Sequence, residues 1–162
     1  MRVPVGGRGL CLIQAGSYLL RPEGTVGIKL AREIKAQADA YVDLPDMSAP
    51  DNPFVEWQMR GALLLAVYSL SRGRDVYAGC MGGYGRTGVF LSLLVRCLGV
   101  LDPISYVRRE YHPRAVETLE QADYVEQFDP SFMRIVVAGA RAWAGWHKIT
   151  PETPYAPGGY RA

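Results

Sequence analysis

The fold class this sequence predicts is α/β: a single domain whose central sheet is covered by helices. Three observations predict it. Short strand patterns come before helical ones, as in layered α/β domains. A strand, a glycine-rich loop and a helix follow one another over 75–98, in the middle of the chain. And 162 residues at 49% apolar bury one good core but are too few for two ordinary domains.

Taken in order, Leu10 to Ile13 is a short apolar run and reads as a buried strand, as does Tyr41 to Leu44. Between them, Val26, Leu30, Ile34 and Ala38 recur every four residues, which predicts a helix over 26–38, with Gly27 against it. Asn52-Pro53 is an N-cap and first-turn pair opening a helix to Leu70, with Phe54, Trp57, Ala62, Leu65, Ala66 and Leu70 turned inward. Arg72-Gly73-Arg74 stops it, and 75–78 is the strand that feeds the glycine loop. Thr87 opens an apolar helix to about Leu98. Three more helices follow, from Asp102-Pro103 to Tyr111, from Glu117 to Phe128, and from Ser131 to Ala144. The fold is expected to end near His147, giving a domain over 1–149. The last stretch, 150–162, holds three prolines and two glycines and reads as a loose tail.

Composition excludes several classes. No run of eighteen apolar residues exists, and the opening 1–7 is too short and glycine-broken for the apolar part of a secretory signal, so a cytoplasmic protein with no membrane partner is expected. Eighteen basic and sixteen acidic residues give +2 without a basic block, so no obligatory nucleic acid is expected either. The three cysteines at 11, 80 and 97 have neither zinc-site spacing nor an even count, which fits a reducing compartment. No cofactor or metal is called for, and a monomer is expected.

The chemistry lies in Gly79-Cys80-Met81-Gly82-Gly83-Tyr84-Gly85-Arg86-Thr87, between a strand end and a helix start. A helix N-terminus has unpaired N–H groups and partial positive charge, so it favours anions and thiolates. Glycines at 82, 83 and 85 let successive N–H groups turn toward one centre, and Cys80 there is expected to have a lowered thiol pKa. Arg86 supplies a planar fork for two phosphoryl oxygens, and Thr87 a hydroxyl to steady the thiolate. The loop from Met81 to Gly85 would cradle the phosphate. A nucleotide-binding P-loop is excluded, because the glycine spacing is wrong and Arg86 stands where a lysine is needed.

This segment resembles the signature loop of the protein tyrosine and dual-specificity phosphatases, Cys-x5-Arg-Ser/Thr, with Gly83 and Gly85-Arg86-Thr87-Gly88 matching as they stand. The resemblance covers roughly Tyr41 to Phe128 and is that of a small dual-specificity-type member. Leu44-Pro45-Asp46-Met47-Ser48-Ala49-Pro50 is similar to the family's acid loop, Trp-Pro-Asp-x-Gly-x-Pro, and implies Asp46 as general acid. His112 to Gln121 is similar to the family's Arg-Pro-x-Ala-Ile-Glu-Thr-x-Glu-Gln stretch, and implies Gln121 near the phosphate, positioning water. One departure is Gly79, where the family places a histidine.

Within the residues themselves, Asp43 and Asp51 stand as rivals to Asp46. Gln121 is equally readable as a solvated helix residue, and Cys97 and the three tryptophans as core. Cys11 is either a buried thiol or a redox partner of Cys80, and the role of Tyr84 is open. The function expected is hydrolysis of phosphate monoesters on protein, phosphotyrosine and also phosphoserine or phosphothreonine, through a phosphocysteine. Its rivals are a phosphate-binding protein with little turnover, an enzyme for RNA 5′ phosphates or phosphoinositides, and a sulfur transferase. The absence of lysine from the loop favours protein phosphate over the highly charged substrates.

Overall fold

The computed structural model describes residues 13–144. Its core is a four-stranded parallel sheet made of β1 (Ile13–Ser17), β2 (Val26–Lys29), β3 (Ala40–Tyr41) and β4 (Val76–Cys80), in the order β1-β4-β2-β3. All five residues of β4 are buried. Because successive side chains of a strand point to opposite faces, both faces of β4 are covered, as a parallel sheet requires. Ser17 of β1 lies beside Cys80, and Lys29 of β2 beside Gly79, so the cysteine stands at the carboxyl end of a strand flanked on both sides. Ligands of open α/β sheets bind at that end.

Among the described residues there are five α-helices, α1 (Pro53–Ser71), α2 (Gly85–Cys97), α3 (Pro103–Glu110), α4 (Leu119–Gln127) and α5 (Ser131–Ala144); α1 and α2 pack on the sheet, and the other three pack against those two. Helices α1, α3 and α5 start as the sequence implies. Asn52 caps α1 by accepting from the Phe54 and Val55 N–H groups, Asp102 caps α3 through Ser105, and Thr118 caps α4 through Gln121. That last cap places the start of α4 two residues later than Glu117. Helix α2 starts at Gly85, before Thr87, so Arg86 and Thr87 belong to its first turn. It is the central helix: Val89 to Val95 are all buried.

Two sequence expectations are corrected here. The strand expected over Tyr41 to Leu44 is the shorter β3, Ala40–Tyr41. The helix expected over 26–38 is absent: Val26–Lys29 is a strand paired with β4 and β3, followed by irregular chain that still buries Leu30 and Ile34. A four-residue spacing over so short an apolar run does not separate helix from strand. Gly27 is explained by the strand, since a Cβ there would lie 2.3 Å from Nη1 of Arg21 and 2.4 Å from the Tyr18 hydroxyl. The first described strand runs over Ile13–Ser17; of the strand expected over Leu10 to Ile13, residues 10–12 lie outside the described residues.

The buried face of α1 is mostly apolar, Val55, Met59, Ala62, Leu63, Ala66, Val67 and Leu70, with Gln58 and Ser69 buried among them. Phe54 and Trp57 are not in the core: they are 57% and 70% exposed and stack on each other, ring centres 6.1 Å apart. Cys97 is core, and burial pushes its thiol up to about 11. Cys11, its pairing with Cys80, the end near His147 and the tail lie outside the described residues. No helix among the described residues is long and apolar enough to cross a membrane.

Candidate active site

Cys80 ends β4 and is 3% exposed, at the floor of a cavity of about 230 Å³. Two donors point at its sulfur: the Gly83 N–H and the Thr87 hydroxyl, each 3.2 Å from Sγ. Thr87 Oγ1 also accepts from the Cys80 N–H at 3.0 Å, tying the two ends of the loop together. Gly83 reaches this position with φ +84, a left-handed conformation that a side chain rarely adopts. Met81, Gly82, Tyr84, Gly85 and Arg86 complete the loop's part of the cavity lining.

The loop is seated on the end of β1. A Cβ on Gly83 would lie 2.7 Å from the Gly16 carbonyl carbon, and one on Gly79 only 2.6 Å from the Gly16 oxygen and 2.8 Å from the Tyr18 nitrogen. These are backbone atoms of a strand and cannot step aside. The position before Cys80, one departure from the signature loop it resembles, therefore has no room for a side chain here. Gly79→His is expected to cost at least about 1–3 kcal/mol, the usual scale of overpacking. Paired thermal melts of the two proteins check this, with a fall of about 2–10 °C expected.

Arg86 is 3% exposed, and its guanidinium is held from three sides. Glu33 takes it bidentately, Oε1 to Nη2 at 2.6 Å and Oε2 to Nη1 at 3.0 Å, while the Leu44 carbonyl accepts from Nη1 at 3.3 Å. Asp46 adds an ion pair to Nη2 at 2.9 Å. Burial works against the charge on Arg86, but the Glu33 bond and the Cys80, Glu33 and Asp46 charges outweigh it and raise its pKa. In return, Arg86 holds the Glu33 carboxyl below the usual range. Glu33 is the partner that the sequence does not reveal: it is 53 residues from Arg86, in a stretch that patterns as a helix with a solvated face.

Of the three candidate acids, only Asp46 lines the cavity. It is 75% exposed, at the mouth. Asp51 accepts from the Asn52 side chain, and Asp43 donates its backbone N–H to Gln58 and accepts from Arg32. The acid loop is fastened to α4: Glu120 accepts from the Ser48 hydroxyl and the Ala49 N–H, and Gln121 Nε2 donates to the Ser48 carbonyl at 3.2 Å. Gln121 is fully buried, and its Oε1 accepts from the Glu117 N–H at 2.8 Å. Both ends of this amide are thus engaged in joining the acid loop to the 117 region.

Glu117 is a second carboxylate at the cavity. Its Oε2 occupies the place a Gly85 side chain would fill, against the first turn of α2, where negative charge is favoured. Val116 before it has φ +60, a costly conformation for a β-branched residue, and Arg108 donates to the carbonyls of Ala115 and Val116. Gly88 permits this turn to approach, since its Cβ would lie 2.5 Å from the Val116 nitrogen.

With this geometry in place, comparison with known proteins is informative about the fold. The chain is similar to the crystal structure of Tk-PTP, a protein tyrosine phosphatase, in its active form: TM-score 0.52 and 24% identity, covering 64% of this chain and 78% of that one. Its fold is accordingly of the tyrosine phosphatase type. Two uncharacterised proteins of Methanocaldococcus jannaschii are 46% and 41% identical to it over 61 residues, 38% of the chain. That stretch amounts to 42% and 38% of their lengths, so the chain matches less than half of either relative. No family model matches.

Proposed function

We propose that the protein is a cysteine-dependent phosphatase of the tyrosine or dual-specificity type that hydrolyses phosphate monoesters on proteins. The observation that carries this reading is the placement of one sulfur, Cys80 Sγ, under two donors and in the same cavity as Arg86 and Asp46. In the first step Sγ attacks phosphorus, the phosphorus–oxygen ester bond breaks, and its electron pair leaves on the ester oxygen, which takes a proton from Asp46. In the second, Asp46 takes a proton from water as that water attacks phosphorus. The sulfur–phosphorus bond breaks, and the thiolate returns to the Gly83 and Thr87 donors. Arg86 and the loop N–H groups hold the phosphoryl oxygens throughout. Such a nucleophile works where thiols stay reduced, which suits a cytoplasmic setting.

The test is a leaving-group series with wild type and Asp46→Asn. The substitution is expected to lower kcat about 10²–10⁴-fold on alkyl phosphates, the scale of general acid catalysis, and much less on activated aryl esters, whose oxygen leaves without a proton. Glu117→Gln, run alongside, separates the two carboxylates of the cavity. A flat series for Asp46→Asn with a steep one for Glu117→Gln would move the acid to Glu117. Binding of phosphate without turnover by the wild type would leave only a phosphate-binding protein.

A further inference from the structure

Tyr84 is among the residues that line the cavity. The connection between α3 and α4 grips the loop at that point through three contacts. The Tyr111 hydroxyl donates to the Gly83 carbonyl. The imidazole of His112 packs on the Tyr84 ring, centres 4.3 Å apart, and the guanidinium carbon of Arg114 stands 4.4 Å from the centre of the same ring. Burial keeps the Tyr111 hydroxyl protonated and donating. His112 Nδ1 accepts the Arg114 N–H at 3.1 Å, and its carbonyl accepts from Ala115 at 2.9 Å, so 112–115 is a closed turn. Arg114 forms no ion pair among the described residues. Its charge is spent on the ring, where a cation over a π-face is favourable.

The geometry points to Tyr84, clamped by His112 and Arg114, as the residue that makes this site select aryl over alkyl phosphate esters. This rests on the reading of the cavity as a phosphate-ester site. With the phosphoryl group over Cys80, the ester oxygen faces the cavity mouth, and a phenol places its ring directly beyond that oxygen, against Tyr84. A serine phosphate has one methylene there and leaves the tyrosine ring facing water. A clamped ring has already lost its rotamer freedom, so little is lost when a ligand packs on it. Aromatic pairs of this kind are worth roughly 2- to 10-fold in affinity beyond the area they bury.

The experiment compares dissociation constants for phenylphosphonate and methylphosphonate, whose phosphorus–carbon bonds a thiolate does not cleave, by calorimetry. In wild type the phenyl ligand is expected to bind more tightly. Tyr84→Ala is expected to shrink that preference roughly 3- to 10-fold, read as the ratio of the two dissociation constants, and Tyr84→Phe to keep it. His112→Ala and Arg114→Ala, which only release the clamp, are expected to lose about 2- to 3-fold of it. They decide the matter if Tyr84→Ala does not fold, and taking the ratio of two ligands cancels the altered charge. The same ratio in wild type and all variants overturns the selectivity while leaving the phosphate site intact. Failure of both phosphonates to bind wild type overturns the phosphate site, and the selectivity with it.

Discussion

Cys80→Ser is expected to lower turnover on the order of 10⁵-fold or more, to the background of the assay, while phosphate or vanadate still binds. The substitution replaces sulfur by oxygen and leaves the rest of the cavity in place. Gly83 keeps its left-handed turn, Arg86 keeps Glu33, and Thr87 still ties the loop to the Cys80 N–H. What disappears is the proposed nucleophile, since a serine hydroxyl at neutral pH is neutral and the hydrogen-bond partners of Sγ among the described residues are both donors. Rapid-quench measurement of a covalent phosphoenzyme, alongside vanadate affinity, separates the outcomes. A phosphoenzyme formed at the wild-type rate by Cys80→Ser would assign the nucleophile to another residue.

Arg86→Lys is expected to lower kcat about 10²–10³-fold even though the charge is kept, the scale of losing one aligned donor to developing negative charge. The guanidinium here serves two masters: Glu33 takes it bidentately, and Leu44 anchors it to the base of the acid loop. An ammonium is a point charge with no fork. It cannot keep Glu33 and also present two parallel donors to phosphate, so either the scaffold or the transition state loses. Glu33→Gln provides the comparison. It keeps the shape and removes the charge, and it is expected to weaken activity less than Arg86→Lys while lowering Tm, because it loosens the scaffold side alone. Steady-state kinetics and melts on both variants check the order.

The parts of the site written in consecutive residues were legible in the sequence, and those assembled across the fold were not. The loop from Cys80 to Thr87 declares itself because glycines, an arginine and a hydroxyl have to follow one another where a strand becomes a helix. Asp46 is legible from the prolines around it. Glu33 was not, because nothing near it in sequence distinguishes it from a solvated carboxylate; only the sheet order β1-β4-β2-β3 brings the chain after β2 over α2. The same topology defeats the helix expected over 26–38, where a buried parallel strand and one helical stripe have the same spacing. Phe54 and Trp57 mislead for a different reason. Large aromatics are counted as core by default, yet α1 already has seven buried aliphatic or small side chains along its other face. Gln121, placed near the phosphate by resemblance, has its amide beside Gly85 of the cysteine loop, where it also joins the acid loop to the 117 region.

The ion pair between Asp46 and Arg86 has a consequence for ligands in general. Glu33, Leu44 and Asp46 between them engage both terminal nitrogens of the guanidinium, leaving Nε as the donor not taken by them. An incoming dianion therefore trades places with a carboxylate that already sits there, and gains only the difference between two anions. Under the proposed reading, free orthophosphate gains the loop N–H donors but makes the same exchange at Arg86, so it is expected to bind less tightly than it would to an unoccupied guanidinium. An ester would add the contacts of its organic part to that exchange, and this surplus would favour substrate over product.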